Sequence, residues 1–598
     1  MASNNPEGLF HVIEDLAKRN GDTVACIDAI GKDHTSLPKI MSYSQLHAAA
    51  RQTAIPLAKR FALDGSAELG DVDQLTLTAL VSCMRRGNEW YVVYVASMLL
   101  GAPLMAMSTD LSDAGAERCR NMDILHRFCP AHIVCDADGA VTATSIQKDL
   151  ACVLFSDLWL ERPSGAEMVP AIAKPSVRCV PALGCSTAAL SFCYTGGTTK
   201  AAKCAIVTHS MALSEVQAYH EIWGETAGPR DIVLQQHSVY WGASCYGEID
   251  IALSFGCALL FSVASGSEEL RATMKAYEVT IAGLVPAVLA GLEPENVPSL
   301  QLVFTWGEKL SVTTARRWVK SARVVDLLIS TECWLSLYAD WGAWVSQGLH
   351  DDDLEGRPPF KRVSEAIIRI GDSSLDGAPL DVGELLLAGP MVFPGYLGEP
   401  DGGDTFTNHG STSTAMRFYR TKDLGRIGSG VAEDSIWYMG RCDDMVKVAG
   451  EWREAAQLEA LATSVAAVVE ASVRDQEAFV AIPSHSCATS GCIPDLRRKL
   501  PADFTLFCLV DTLPRRSGTG KVDRAALSAL STAKASKWPA HVKNEGDVAV
   551  EELAAYIQWY APLMMICVLR ACMIATHFPN ACFFPQALRI QLPNNFSS

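Results

Sequence analysis

The stretch YTGGTTKAAK, Tyr194 to Lys203, puts two glycines, three threonines and two lysines into ten residues. Glycine allows close backbone approach, threonine hydroxyls bind oxygens and lysine supplies a point charge, so the stretch could cradle a phosphate. A plain turn between two strands would have a similar composition, and on these residues alone both readings stand. A second glycine-rich stretch, SGTGKVDR, carries one lysine, Lys521. An ammonium on a flexible stem suits a charge that must arrive for one step and leave for the next. A solvated loop lysine is the plainer alternative.

These residues sit in a chain whose texture supplies positioning elements. Residues from about 10 to 180 alternate helical stretches with short apolar runs, among them LTLTALVSC, read as a buried strand, and EWYVVYVASMLLGA, read as a helix ending at Gly101. From 190 to 335 the alternation continues through strands ALSFCY, CAIVTH, DIVLQQ and CALLFS. Strands alternating with helices predict a parallel α/β sheet covered on both faces. Between about 365 and 442 shorter strands with Gly and Pro turns predict a β-rich subdomain. GRCDDMVKVAGEW then opens a compact C-terminal unit, and order fades after KVDRAALSAL. The predicted division is a large domain over 1–442, a small domain over 443–535 and an irregular tail over 536–598. The apolar patch at 559–575 contains Pro562 and Arg570 and is short for a membrane span, which favours a docking or interfacial helix.

Composition narrows the function. The 598 residues are 49% hydrophobic and 20% charged, which is globular, and Lys plus Arg against Asp plus Glu, 50 against 67, gives −17. An acidic chain is a poor match for a nucleic-acid backbone, though one or two local cations suffice for a nucleotide. The 20 cysteines include no Cys-x-x-Cys pair and read as reduced core residues of an intracellular protein. The first residues lack the basic and apolar pattern of a signal peptide, so a cytoplasmic location is expected, with peripheral membrane contact through the tail as an option.

Downstream of the Gly/Thr loop follow WGEKLS, STE, GELLLAGPMVFPGYLGEP, FYRTKDLGRIG, YMGRCDDMVKVAGEW and LPRRSGTGKVDRAAL, in that order. With MSYSQL and VPAVLAGL, this series resembles the adenylate-forming superfamily of acyl-CoA synthetases, nonribosomal-peptide adenylation domains and luciferases. The resemblance spans about residues 10 to 530. It implies a large N-terminal domain of parallel sheets covered by helices, with a β-rich subdomain, and a small mobile α+β C-terminal domain. It also implies the chemistry: a carboxylate attacks the α-phosphate of ATP to give an acyl-adenylate and pyrophosphate, and a thiol then displaces AMP. Bringing an anion to a polyanion demands charge neutralisation and positioning.

On that resemblance Thr195, Gly197, Thr198, Thr199 and Lys203 hold the β- and γ-phosphates. Glu332 binds Mg2+ and Thr331 contacts phosphate; a hard ion that brings its own waters and ATP oxygens needs only one carboxylate from the protein. Asp423 accepts from the ribose hydroxyls and Arg441 lies near the ribose. Lys521 reaches the attacking carboxylate and the α-phosphate, Asp443 is the hinge, and Lys447 enters the site in the thioester-forming state. The family's pattern is altered at Gly196, Lys200, Ala202 and Cys204 in the loop, at Leu328 where an aromatic residue usually stacks on adenine, and at Lys422 where glycine is usual.

Substrate clues are fewer. Ala243 stands where peptide-synthetase adenylation domains place an aspartate for the α-amino group, and a buried ammonium without its carboxylate is costly. The AGEW string at 449–452 is similar to the GGEW of fatty and medium-chain acyl-CoA synthetases, which points to a fatty or other non-amino acid. His237, Tyr240 and Trp241 fall near the expected acyl pocket, where core packing would explain them almost as well. No GxDSL-like carrier site follows residue 530. The expected partners are a carboxylic acid and CoA. A separate carrier protein is the alternative acceptor, and a nucleotide-binding pseudoenzyme the alternative of another class.

Overall fold

The computed structural model describes residues 8–29, 37, 39–61, 78–110, 114–161, 188–195, 203–262, 266–346, 358–371, 382–399, 403–409, 415–428, 435–442, 445–448, 451–465, 468, 470–474, 477–481, 495–500, 506–510, 513, 526–527 and 536–539. The chain divides into two compact units, 1–444 with 516–520, and 445–515 with 521–598.

The first unit is built on two large sheets. One has six strands in the order Ala151–Leu154, His132–Cys135, Leu80–Cys83, Leu104–Ala106, Ala189–Tyr194, Cys204–Thr208. All neighbours are parallel except the last pair, which is antiparallel. Ala189–Tyr194 and Cys204–Thr208 are buried at every position, which is why each reads as an unbroken apolar run instead of alternating. The helix Asn88–Leu100 is also apolar nearly all round and is buried from Trp90 to Leu99; it stops at Gly101, whose φ of 63° is left-handed.

The second sheet runs without a break from parallel to antiparallel strands. Val24–Asp28, Ala258–Phe261, Ile232–Gln235, Ile281–Leu284, Leu302–Thr305 and Arg323–Leu328 pair in parallel. Leu337–Asp340 then pairs antiparallel, and the short strand Phe360–Arg362 joins it to Ser435–Arg441. Met416–Ile427, Val382–Ala388 and Ile367–Ile370 follow at the antiparallel end, where Phe406–His409 also pairs with Met416–Ile427. The β-rich segment is therefore an extension of the parallel sheet.

In the second unit a hairpin, Met445–Val448 with Glu451–Glu454, precedes helix Ala455–Thr463. A four-stranded mixed sheet follows, Glu470–Arg474, Glu477–Ala481, Leu506–Val510 and Ser536–Pro539. Val446, Leu458, Ala462, Val473 and Leu496 close its core. Among the described residues no helix is long and apolar enough to cross a membrane. The patch at 559–575 lies outside them.

Candidate active site

The strand Ala189–Tyr194 delivers Thr195, and Cys204–Thr208 begins just after Lys203. The neck of the loop is closed by the Thr195 amide donating to the Lys203 carbonyl at 2.8 Å and by the Lys203 amide facing Thr195 Oγ1 at 3.4 Å. Gly197, Thr198 and Thr199, with the rest of 196–202, lie outside the described residues.

Beyond the neck, the segment 391–399 lies along the start of Cys204–Thr208. The Leu397 amide donates to the Cys204 carbonyl at 2.7 Å, and Ile206 to that of Gly395 at 3.1 Å. This places Tyr396 between two of the sequence-derived site residues. Lys203 Nζ lies 4.5 Å from the centre of the Tyr396 ring and donates to Glu399 Oε2 at 2.9 Å. Tyr396 in turn donates its hydroxyl to Glu332 Oε1 at 2.7 Å. Burial, then the Glu332 charge, pushes the Tyr396 phenol far up, so it stays a donor. Ser330 Oγ accepts from the Glu332 amide at 3.2 Å, which fixes the turn that carries Thr331 and Glu332.

Asp423 and Arg441 are register partners on adjacent antiparallel strands. Arg441 faces Asp423 Oδ1 at 3.5 Å, and Tyr438 donates to the same oxygen at 3.3 Å. The preceding Lys422 has φ 63° and donates its amide to Glu384 Oε1 at 3.0 Å. That backbone explains why glycine suits this position and what the lysine costs. Burial, and then among other groups Glu332 and Asp423, raise the Cys333 thiol to about 12 and raise the Tyr419 phenol. Thr195, Lys203, Thr331, Glu332, Asp423 and Arg441 thus belong to one unit, with Thr195 and Lys203 at the six-stranded sheet and Asp423 and Arg441 on neighbouring strands of the larger one.

Among the described residues no group of three or more His, Cys, Asp or Glu is placed to hold a metal. A half-buried single carboxylate, Glu332, fits a hard ion that brings most of its oxygens with a nucleotide.

The expected pocket residues have two sets of neighbours. His237 Nδ1 is 2.7 Å from Glu248 Oε1, and its ring lies 5.2 Å from that of Trp306. Tyr240 instead stacks on Tyr194 at 5.5 Å, and Arg120 sits 5.0 Å over Tyr240 and 4.9 Å over Trp241. Ala243 falls in the turn Gly242–Tyr246 and Lys447 in strand Met445–Val448; their side chains lie outside the described set. So do Asp443 and Lys521. Sequence reasoning passed over Tyr396 and Glu399, although both stand in the quoted string GPMVFPGYLGEP. It also passed over the buried acids Glu215, Glu248 and Asp250, which carry no motif.

The profile of the AMP-binding enzyme family matches residues 13–397. The chain belongs to that family, within the adenylate-forming superfamily. It is 23% identical over 535 residues to nonribosomal peptide synthetase 32 of Fusarium pseudograminearum, which covers 80% of this chain and 6% of that protein. It is 29% identical over 367 residues to a probable non-canonical nonribosomal peptide synthetase, CymA, of Salinispora arenicola, which covers 56% of this chain and 4% of that one. The chain thus spans a small fraction of these relatives' length. In fold it is similar to ATP-bound MatB from Rhodopseudomonas palustris, with a TM-score of 0.64, 18% identity, and 87% of this chain and 98% of that one covered. It is likewise similar to o-succinylbenzoate CoA synthetase from Bacillus subtilis with its acyl-adenylate intermediate, with a TM-score of 0.63, 18% identity, and 86% and 97% covered.

Proposed function

We infer that the chain activates a carboxylic acid with ATP and passes the acyl group to a thiol. The observation that carries this reading is the convergence of Lys203, Tyr396 and Glu332 at the neck of a Gly/Thr loop, inside the matched family region. In the first step a carboxylate oxygen bonds to the α-phosphorus while the bond to pyrophosphate breaks. Lys203 and the threonines of the loop offset the charge of the phosphates, and Lys521 faces the attacking carboxylate and the α-phosphate. Asp423 holds the ribose, with Arg441 fixing its carboxylate. Glu332 would hold Mg2+, which supplies charge neutralisation at the phosphates when bound. In the second step a thiolate attacks the acyl carbon and the bond to AMP breaks.

For the acceptor we favour CoA, since the AGEW string is similar to that of acyl-CoA synthetases. The sequence relatives favour a second reading, transfer to the thiol of a carrier protein, because those named above are nonribosomal peptide synthetases. On either reading the second unit, with Asp443 as hinge and Lys447 on its first strand, changes position between the steps. The test is pyrophosphate release over a panel of carboxylic acids, followed by CoA consumption with the best of them. Acid-dependent release supports the first step; release without CoA consumption favours the carrier.

A further inference from the structure

The helix Gly247–Phe255 leads from the candidate active site into the core. At the head of the turn before it, a Cβ on Gly242 would lie 3.1 Å from Thr331 Cγ2. Five residues on, a Cβ on Gly247 would lie 3.0 Å from Glu215 Oε1, 3.2 Å from the Tyr219 hydroxyl and 3.9 Å from Ile329 Cδ1. Glycine here lets the Glu215 carboxyl and the Tyr219 phenol reach the helix backbone. One turn further stands Asp250.

These acids are buried in an unusual way. Glu215 and Asp250 both have 0% exposure. Glu215 is partly satisfied, accepting from the Tyr219 hydroxyl at 2.6 Å and from the Leu335 amide at 3.4 Å. Asp250 is not: among the described residues neither of its carboxyl oxygens has a hydrogen-bond partner. Among the same residues the hydroxyl of Tyr94, also at 0% exposure and on a different helix, has none either. Asp250 follows Gly247 by three residues on one α-helix and so lies on the face that Glu215 meets, and burial and then Glu215 raise the Asp250 carboxyl, as burial and then Asp250 raise the Tyr94 phenol. Leaving a buried carboxyl with no partner costs about 1–3 kcal/mol or more, which a bound donor would offset.

We propose that Glu215 and Asp250 form a subsite for an ammonium group carried by the acid substrate at the end remote from its carboxylate. An ammonium has three donors and a positive charge, which matches two buried acids with free lone pairs and favours their ionised forms, which burial alone disfavours. Asp250 stands eight residues past Gly242, beyond the turn Gly242–Tyr246 and the first turn of the helix, which places the ammonium at the far end of an extended substrate instead of beside its carboxylate. This agrees with Ala243, which offers no partner to an α-amino group. The inference rests on the adenylation reading for the position of the carboxylate.

Calorimetric titration of the full chain with ω-aminooctanoate and with octanoate tests it. The amine is expected to bind at least tenfold more tightly, and Asp250→Asn, which keeps size and loses charge, is expected to bring the ratio near one. Glu215→Gln provides a second variant should the first fail to fold. Equal binding of the two acids by the wild-type chain, as interior water at the acids would give, overturns the subsite. Equal preference in the wild-type chain and in both variants also overturns it. Pyrophosphate release in parallel separates the two ideas. An amine preference in binding without release from any acid would sink adenylation and keep the subsite. Release from octanoate with no amine preference would do the reverse.

Discussion

Tyr396 donates its hydroxyl to Glu332 Oε1 at 2.7 Å across 64 residues of sequence, while its ring faces the Lys203 ammonium at 4.5 Å. One aromatic residue therefore sets the position of both the carboxylate assigned to Mg2+ and the cation assigned to phosphate. Tyr396→Phe keeps the ring and removes the hydroxyl. A hydrogen bond to a charged group contributes about 1.5–3 kcal/mol. The Mg2+ concentration for half-maximal pyrophosphate release should rise about tenfold, with the KM for the acid little changed. A magnesium titration of the mutant checks this, and an unmoved midpoint would show that Glu332 is oriented without Tyr396.

Lys422 carries a left-handed backbone, φ 63°, next to Asp423. Left-handed geometry costs a non-glycine residue roughly 1–2 kcal/mol, part of which is returned because glycine loses more chain entropy on folding. Lys422→Gly should stabilise the first unit by about 0.5–1 kcal/mol, and Lys422→Val should destabilise it. Denaturant midpoints of the two variants should move in opposite directions; movement in the same direction would rule out backbone strain as the cause.

Two buried groups give stability a pH optimum. His209 heads helix His209–Trp223, its Nδ1 accepting from the Leu9 amide at 3.2 Å, and burial, then His11, lowers it to about 4 from the usual 6.5. The folded chain then binds fewer protons than the unfolded one in that window, so stability is lost as pH falls from about 6.5 through 4. Glu215, raised by burial from 4.5 to about 8, has the opposite sign: stability falls as pH rises through that range. Glu215→Gln should flatten the alkaline limb and His209→Gln the acid limb of a melting-temperature profile. A variant that shifts the whole profile without changing its slope would remove that residue from the account.

The fold was largely legible in the sequence because its central strands are uniformly apolar. ALSFCY and CAIVTH are buried at every position, and Gly101 ends its helix as read. The join between parallel and antiparallel strands was hidden, since Phe360–Arg362 is three residues long and too short to show a period. At the site, the residues with motifs could be named one by one, but their contacts could not. Tyr396 to Glu332 and Glu215 to Leu335 link positions 64 and 120 apart, and one sequence carries no record of such pairings. His237, Tyr240 and Trp241 lie within five residues of each other, yet His237 meets Glu248 and Trp306 while Tyr240 and Trp241 share the Arg120 side of the core. A local string cannot reveal that divergence.

The chain passes from the first unit to the second between residues 444 and 445, next to Asp443. If Asp443 is the hinge, its backbone must take two conformations in one turnover. Proline fixes φ near −65° and restricts the preceding residue, Cys442. Asp443→Pro should then form the adenylate and fail to pass it on. The expected result is a pyrophosphate burst near one equivalent per enzyme with CoA consumption strongly reduced. Equal loss of both half-reactions would remove the hinge.

On the proposed function this chain makes an acyl-adenylate with Lys521 facing the reacting carboxylate and phosphate. The most direct measurement is exchange of labelled pyrophosphate into ATP, driven by the best carboxylic acid, in the wild-type chain and in Lys521→Ala. Removing a preorganised electrostatic group of this kind costs roughly 2.7–4 kcal/mol. Exchange should depend on the acid and fall about a hundredfold to a thousandfold in the mutant, with folding unchanged. Wild-type exchange that needs no acid, or a mutant that exchanges as fast as the wild type, would contradict the account.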